Sequence, residues 1–309
     1  MNAGTLEILM TAHNGAEYIE EQIESILEQT DENWHLTISD DGSADATPAI
    51  IERYVKRYPN RILRHDSLRC FGNARDHFFY LMGNCKADYM LFCDHDDVWF
   101  PEKVSRTREA LVRAEQEYGQ NRPILVFSDQ IPADEALKPL ASSLMRYQKQ
   151  YVRRFDYRSL LMQNVVTGGA MGINRALAAL AGRGEGEEGV IMHDWWLAVV
   201  AARFGHIAYI DEPLGIYRQH TGNAIGAKDV SSVAYVLQKL ANLRSVRRTI
   251  LDKKLQAAAF ERVFESDLSP EDMLFLHAFQ RRRSGPVFWL RYQRLIHGAA
   301  RKAGMLLLC

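Results

Sequence analysis

The chain has 309 residues with 47% hydrophobic content and a formal net charge of −1. That length buries a sizeable core, while the near-zero charge excludes a strongly basic nucleic-acid binder. Four cysteines show neither metal-ligand spacing nor a disulfide framework, and no run reaches the length of a membrane span. The N-terminus lacks the pattern of a signal peptide, so the expectation is a soluble cytoplasmic protein.

Taken in order, Leu6–Ala12 is a short apolar run with a polar exit, His13-Asn14-Gly15, and reads as strand then loop. Ile19, Ile23, Ile26 and Leu27 fall on one helical face. A second strand, Leu36–Ser39, ends in Asp40-Asp41-Gly42-Ser43, and Thr47-Pro48 reads as a cap and first-turn proline. A strand at 61–65 and a helix at 73–82 follow, then the apolar segment Tyr89–Cys93. That segment runs directly into Asp94-His95-Asp96-Asp97. Strands alternating with helices of about a dozen residues imply βαβ units and a mainly parallel sheet.

A buried strand ending in Asp94, Asp96 and Asp97 is costly, because neighbouring carboxylates repel one another. A hard divalent cation, Mg²⁺ or Mn²⁺, relieves that repulsion with oxygen ligands. In a doubly wound sheet the strand C-termini share one edge, so Asp40-Asp41 and Asp94–Asp97 converge on one crevice. The chain has no Gly-x-Gly-x-x-Gly after its first strand and no P-loop motif. A diphosphate held through a metal on carboxylates fits what is left.

Beyond Pro101 a long helix is expected to Tyr118, with Val104, Leu111 and Tyr118 in one stripe, and then a strand at Ile124–Ser128. Residues 130–160 read as an irregular flap or acceptor-side insertion. Thr167–Ile173 reads as a strand whose Gly168 and Gly169 allow close approach. Gly182–Gly189 reads as a flexible loop leading into His193-Asp194-Trp195-Trp196 and a helix to Phe204. A strand at His206–Ile210 precedes a polar loop at Gly215–Gly226 that holds Arg218 and His220. The last third is a helical stripe, Val233 to Ile250, followed by a basic, aromatic segment from Arg281 to Lys302. Such a segment suits either a solvated helix face or peripheral contact with an anionic membrane.

With these residues placed, the chain resembles glycosyltransferase family 2, most closely its bacterial rhamnosyltransferase-like members. The resemblance spans about residues 5–226 and rests on motifs in the family's order. These are Thr11–Gly15, Asp40–Asp45, Asp94–Trp99, Thr167–Gly169, His193–Trp196 and Tyr217–Asn223. His13 stands where many members have Tyr, and His95 where Gln is usual; neither change removes a carboxylate.

The resemblance implies a GT-A fold over residues 1–228, a Rossmann-like nucleotide-sugar domain, with 229–309 as a helical extension. It implies transfer with inversion, a divalent cation, and a dTDP-L-rhamnose or UDP-sugar donor. Thr11, His13, Asn14, Asp40, Asp41, Arg75, Asp94, His95 and Arg218 are then the expected donor contacts, Asp40 meeting the base. Asp94 and Asp96 form the family's Asp-x-Asp motif, with Asp97 and His220 as further candidate metal ligands. Asp194 is the expected general base, and Gly168, Gly169, His193, Trp195 and Trp196 the expected acceptor contacts. The implied acceptor is a surface-polysaccharide or lipid-linked glycan at the inner membrane face. A sugar-nucleotide pyrophosphorylase also uses such a sheet and Mg²⁺, but its Gly-rich basic N-terminal signature is missing from Thr11–Gly15. A degenerate scaffold would lack the base or the acidic triplet, and this chain has both.

Overall fold

The computed structural model describes residues 4–150, 155–220 and 243–281, together with Phe288 and Tyr292. The centre is a mixed, mainly parallel sheet whose strands lie in the order β3-β2-β1-β4-β7-β6-β8-β5. They are β1 (Leu6–Ala12), β2 (His35–Asp40), β3 (Ile62–Arg64), β4 (Tyr89–Asp94), β5 (Val98–Trp99), β6 (Ile124–Ala133), β7 (Met171–Asn174) and β8 (His206–Arg218). β7 runs antiparallel between β4 and β6.

Period-two alternation along each strand divides the core into two faces. Ile8 and Met10 of β1, Leu36 and Ile38 of β2, and Leu91 and Cys93 of β4 pack beneath α1 (Ile19–Leu27), α2 (Thr47–Arg57) and α4 (Lys103–Tyr118). Leu9, Met90 and Phe92 face the other way. They meet α3 (Ala74–Asn84), α6 (Tyr157–Met162), α7 (Arg175–Ala181) and α8 (His193–Phe204). A short α5 (Leu144–Tyr147) follows β6.

The described part of the C-terminal extension folds as α9 (Leu243–Phe264) and α10 (Pro270–Gln280). Phe260 and Phe264 of α9 stack around Trp196 of α8, and the three are fully buried. Asp272 of α10 ties the layers together by accepting from Tyr157 Oη at 2.6 Å and from Arg203 Nε at 2.9 Å. The expected boundary at 228/229 lies outside the described residues, as do the stripe from Val233 to Leu240 and most of the basic segment beyond Arg281.

Several local expectations change. Thr47 is the first residue of α2 rather than its cap; Asp45 accepts its backbone N–H at 3.0 Å. Tyr118 is 43% exposed and stacks on His206, so only Val104 and Leu111 of that stripe are core. Residues 168–170 form a 3-10 turn, and β7 begins only at Met171. Residues 130–150 are tied down because Asp129 accepts the Leu144 and Met145 N–H groups at the start of α5. The glycine-rich loop is packed: a Cβ on Gly184 would fall 2.4 Å from the Trp196 ring, and Gly189 (φ +101°) lies against the Leu255 backbone. β8 runs on to Arg218, because residues 213–218 continue the pairing with β6 after a bulge.

Candidate active site

Register sets the floor of the site. In the parallel pairing of β1 with β2 and β4, Ala12 lies opposite Asp40 and Thr11 opposite Asp94. The acidic strand exits therefore share one edge, where a cavity of about 830 Å³ opens. It is lined by Thr11, His13, Asn14, Asp41, Asp94, His95 and Asp96 from the strand exits and by Gly168, His193, Asp194 and Trp195 from the segments that open the 3-10 turn and α8. His220 lines it as well.

The glycine of the first loop has a steric reason. A Cβ on Gly15 would lie 2.1 Å from the His95 ring, so this glycine lets the loop after β1 rest on the acidic turn. His95 Nδ1 is 3.3 Å from the Thr11 carbonyl. His13 Nδ1 is 3.0 Å from the Asp41 carbonyl, and Asn14 Oδ1 accepts from the Ala44 N–H at 2.8 Å.

The carboxylates divide into two kinds. Asp94 and Asp96 line the cavity, and Asp96 Oδ2 is 2.8 Å from His220 Nε2. Burial, then the charges of Asp96 and Asp194, hold the Asp94 carboxyl well above the usual carboxylate range. Asp97, expected as a metal ligand, is fully buried and does not line the cavity. Its Oδ1 accepts the Arg218 N–H at 3.2 Å and its Oδ2 accepts from Gln130 Nε2 at 3.2 Å. It joins the acidic turn to β6 and β8. Behind the cluster sits Lys103, 1% exposed, with Nζ over the Trp99 ring and no hydrogen-bond partner. Burial lowers its pKa to about 8, against the pull of Asp97, Cys93 and Asp94.

Five further expectations are corrected. The Asp40 carboxylate turns back to accept the Ser43 N–H at 3.0 Å and is absent from the cavity wall, leaving Asp41 there. Asp41 in turn accepts from Gly72 N–H at 2.7 Å, fixing the loop before α3. Arg75 pairs with Asp76 and donates to the Val190 carbonyl at 2.6 Å, clamping α3 to the approach of α8 instead of facing the cavity. Arg218 ends a strand, not a mobile loop; its buried guanidinium donates to the Asp96 carbonyl at 2.9 Å, to Glu135 and to Glu21. Trp196 is wholly buried and donates to the Ala181 carbonyl at 2.9 Å, since one helical step turns it from the cavity that Trp195 lines. Gly169 is not on the wall but permits it: a Cβ there would lie 2.8 Å from Asp97 Oδ2 and 3.0 Å from Asp94 Oδ2.

Asp194 opens α8. Its Oδ1 accepts the Trp195 N–H, and Gly168 N–H and Asn164 also donate to it. Burial outweighs these bonds and raises its pKa to about 7, the range suited to a general base near neutrality. Sequence reading missed Tyr18, Tyr217, Gln163 and the α9 residues Thr249 and Lys253, all of which line the cavity. Tyr217 lay within a quoted motif; for the others no local pattern marks them.

Among the described residues, no three His, Cys, Asp or Glu side chains are grouped to cage a metal ion. That corrects the four-residue ligand set. It still fits Mg²⁺ or Mn²⁺, which such sites hold on one or two carboxylates while substrate phosphates and water complete the shell. Asp94 and the Asp96–His220 pair face the cavity.

Residues 7–178 match the family model described as glycosyl transferase family 2. The dTDP-rhamnosyl transferase RfbG of Shigella flexneri is 28% identical over 232 residues, covering 71% of this chain and 74% of that protein. An uncharacterized protein of Mycobacterium tuberculosis is 27% identical over 220 residues, and the match spans 70% of this chain but only 59% of that protein. Among solved structures, S. aureus TarS 1-349 in complex with UDP-GlcNAc matches with a TM-score of 0.53 at 14% identity, covering 97% of this chain and 89% of that one. The mannosyltransferase PcManGT from Pyrobaculum calidifontis, in complex with GDP-Man and Mn²⁺, matches with a TM-score of 0.50 at 12% identity, covering 98% and 86%. At those identities the likeness concerns the fold, which is GT-A.

Proposed function

The chain belongs to glycosyltransferase family 2, and from that premise we propose that it is an inverting, metal-dependent transferase with Asp194 as general base. The observation that carries this reading is one cavity lined both by the Asp94–Asp96 turn and by Asp194, close enough for the Asp194 charge to act on Asp94. In this reading Thr11, His13, Asn14 and Asp41 cradle the nucleoside at the β1 and β2 exits. Asp94 and Asp96, with His220 orienting the Asp96 carboxylate, would hold the divalent cation beside the donor diphosphate. When bound, that cation supplies charge stabilisation of the departing diphosphate.

Asp194 takes the proton of an acceptor hydroxyl as its oxygen bonds to the anomeric carbon. The bond from that carbon to the diphosphate oxygen breaks, and the nucleoside diphosphate leaves. A single displacement of this kind inverts the anomeric centre. The Trp195 ring and the Gly168 backbone border the acceptor side and limit access of water.

The donor we infer is dTDP-L-rhamnose, supported by the name of the RfbG relative, with a UDP-sugar as the competing donor. The acceptor we infer is a hydroxyl of a surface or lipid-linked glycan. No helix among the described residues is long and apolar enough to cross a membrane. For work at the cytoplasmic membrane face we infer peripheral contact through the basic, aromatic sequence from Arg281 to Lys302.

Calorimetric titration with dTDP and with UDP, each with Mn²⁺ and then with EDTA, tests the reading. Metal-dependent binding of either is expected, with dTDP the tighter. A folded protein that binds neither would overturn it.

A further inference from the structure

The cavity is lined by more polar groups than the proposed donor and metal contacts use. Gln163, just after α6, lines it, and both its amide oxygen and nitrogen are shut off from solvent without a hydrogen-bond partner. His193 also lines it, is 3% exposed, and has no partner at either ring nitrogen. Its ring rests on Phe78, with centroids 4.2 Å apart, and burial keeps the imidazole neutral. Gly168 leaves the ring edge open; a Cβ there would come within 3.0 Å of Nε2. Buried polar atoms are nearly always paired, so orphans around one cavity indicate where a ligand's polar groups belong.

The chemistry of the orphans narrows the ligand. An amide and a neutral imidazole each combine donor and acceptor, as a sugar hydroxyl does. A lipid chain would leave these groups unpaired, and a phosphate would leave the amide oxygen and the acceptor nitrogen unpaired. The C-terminal extension contributes to the lining: Thr249 and Lys253 of α9 border the same cavity, and Lys253 Nζ lies 5.9 Å from the centroid of the Trp195 ring.

Resting on the transferase reading, we propose that Gln163 and His193 bind hydroxyls of an acceptor sugar ring beside Asp194, with α9 as the outer wall of that subsite. The extension is thereby part of the acceptor site. Gln163 is a specificity residue that no family motif marked.

The test uses the full chain with dTDP or UDP and Mn²⁺, and saturation-transfer NMR with methyl α-L-rhamnoside, methyl β-D-glucoside and methyl α-D-mannoside as probes. Wild type should bind at least one glycoside. Gln163→Leu should weaken it about tenfold, the loss of one good hydrogen bond, with nucleotide affinity within about twofold of wild type. Lys253→Ala, at a partly exposed position of α9 away from its buried Phe260 and Phe264 face, should weaken it severalfold. Unchanged glycoside binding in Gln163→Leu overturns the amide role, and unchanged binding in Lys253→Ala overturns the α9 wall. A wild type that binds nucleotide but no glycoside overturns the sugar-ring acceptor. Loss of nucleotide binding in wild type strikes the transferase reading itself.

Discussion

His220 Nε2 stands 2.8 Å from Asp96 Oδ2, joining the residues just beyond β8 to the turn that follows β4. The Tyr18 ring lies 4.7 Å from the His220 ring, and the Arg218 guanidinium, which donates to the Asp96 carbonyl, lies over the same Tyr18 ring. A carboxylate held this way is orientated before any substrate arrives, which lowers the entropy cost of binding a cation there.

Asp96→Ala and His220→Ala are both expected to weaken Mn²⁺-supported nucleotide binding by about 10- to 100-fold. Binding in EDTA should move little. Calorimetry in the two buffers separates these effects, and equal losses in both would assign the pair to the fold rather than to the metal.

Asp194→Asn is expected to keep nucleotide binding and to lose transfer by about 10²- to 10⁴-fold. Because the base must be ionised, wild-type kcat/KM should fall as pH drops below about 7, the raised pKa of Asp194. Stability runs the opposite way. The raised pKa favours the protonated fold, so this group's contribution is whole below the unfolded carboxylate value and is lost as pH rises through about 7. Thermal unfolding should therefore show Asp194→Asn gaining on wild type more at pH 8 than at pH 5.

Gly169→Ala inserts a methyl 2.8 Å from Asp97 Oδ2 and 3.0 Å from Asp94 Oδ2. Overpacking of this kind costs about 1–3 kcal/mol. The displaced carboxylates should also weaken metal-dependent nucleotide binding, read by the same titration, whereas Gly182→Ala, with nothing near its Cβ, should not.

Asp272→Ala breaks the pair with Arg203 and the bond from Tyr157 in a 4% exposed site. Denaturant unfolding should record a loss on the order of 3 kcal/mol. Burial alone would raise this carboxyl, but donors from Tyr157, Ser269 and Arg203 hold it well below its usual range. Its contribution is thus present above the unfolded carboxylate value, about 4, and drains as pH falls below it. The gap between wild type and variant should narrow in acid.

Much of this protein is legible in the linear chain. Apolar runs at Leu6–Ala12 and Tyr89–Cys93, the helical stripe of Ile19, Ile23 and Ile26, and carboxylates at two strand exits specify a doubly wound sheet with an acidic edge. These are local signals, because side-chain period and strand polarity belong to single segments. Which member of each adjacent pair does the work is another matter. Asp41 faces the cavity while Asp40 closes its own turn, Asp96 faces it while Asp97 is sealed by Arg218 and Gln130, and Trp195 faces it while Trp196 enters the core. Neighbours in sequence point to different sides of a turn or helix, and the groups that claim each side arrive from segments far along the chain. Only the packed fold brings Arg218 to Asp97 and α9 to Asp194, so only tertiary structure could decide those roles.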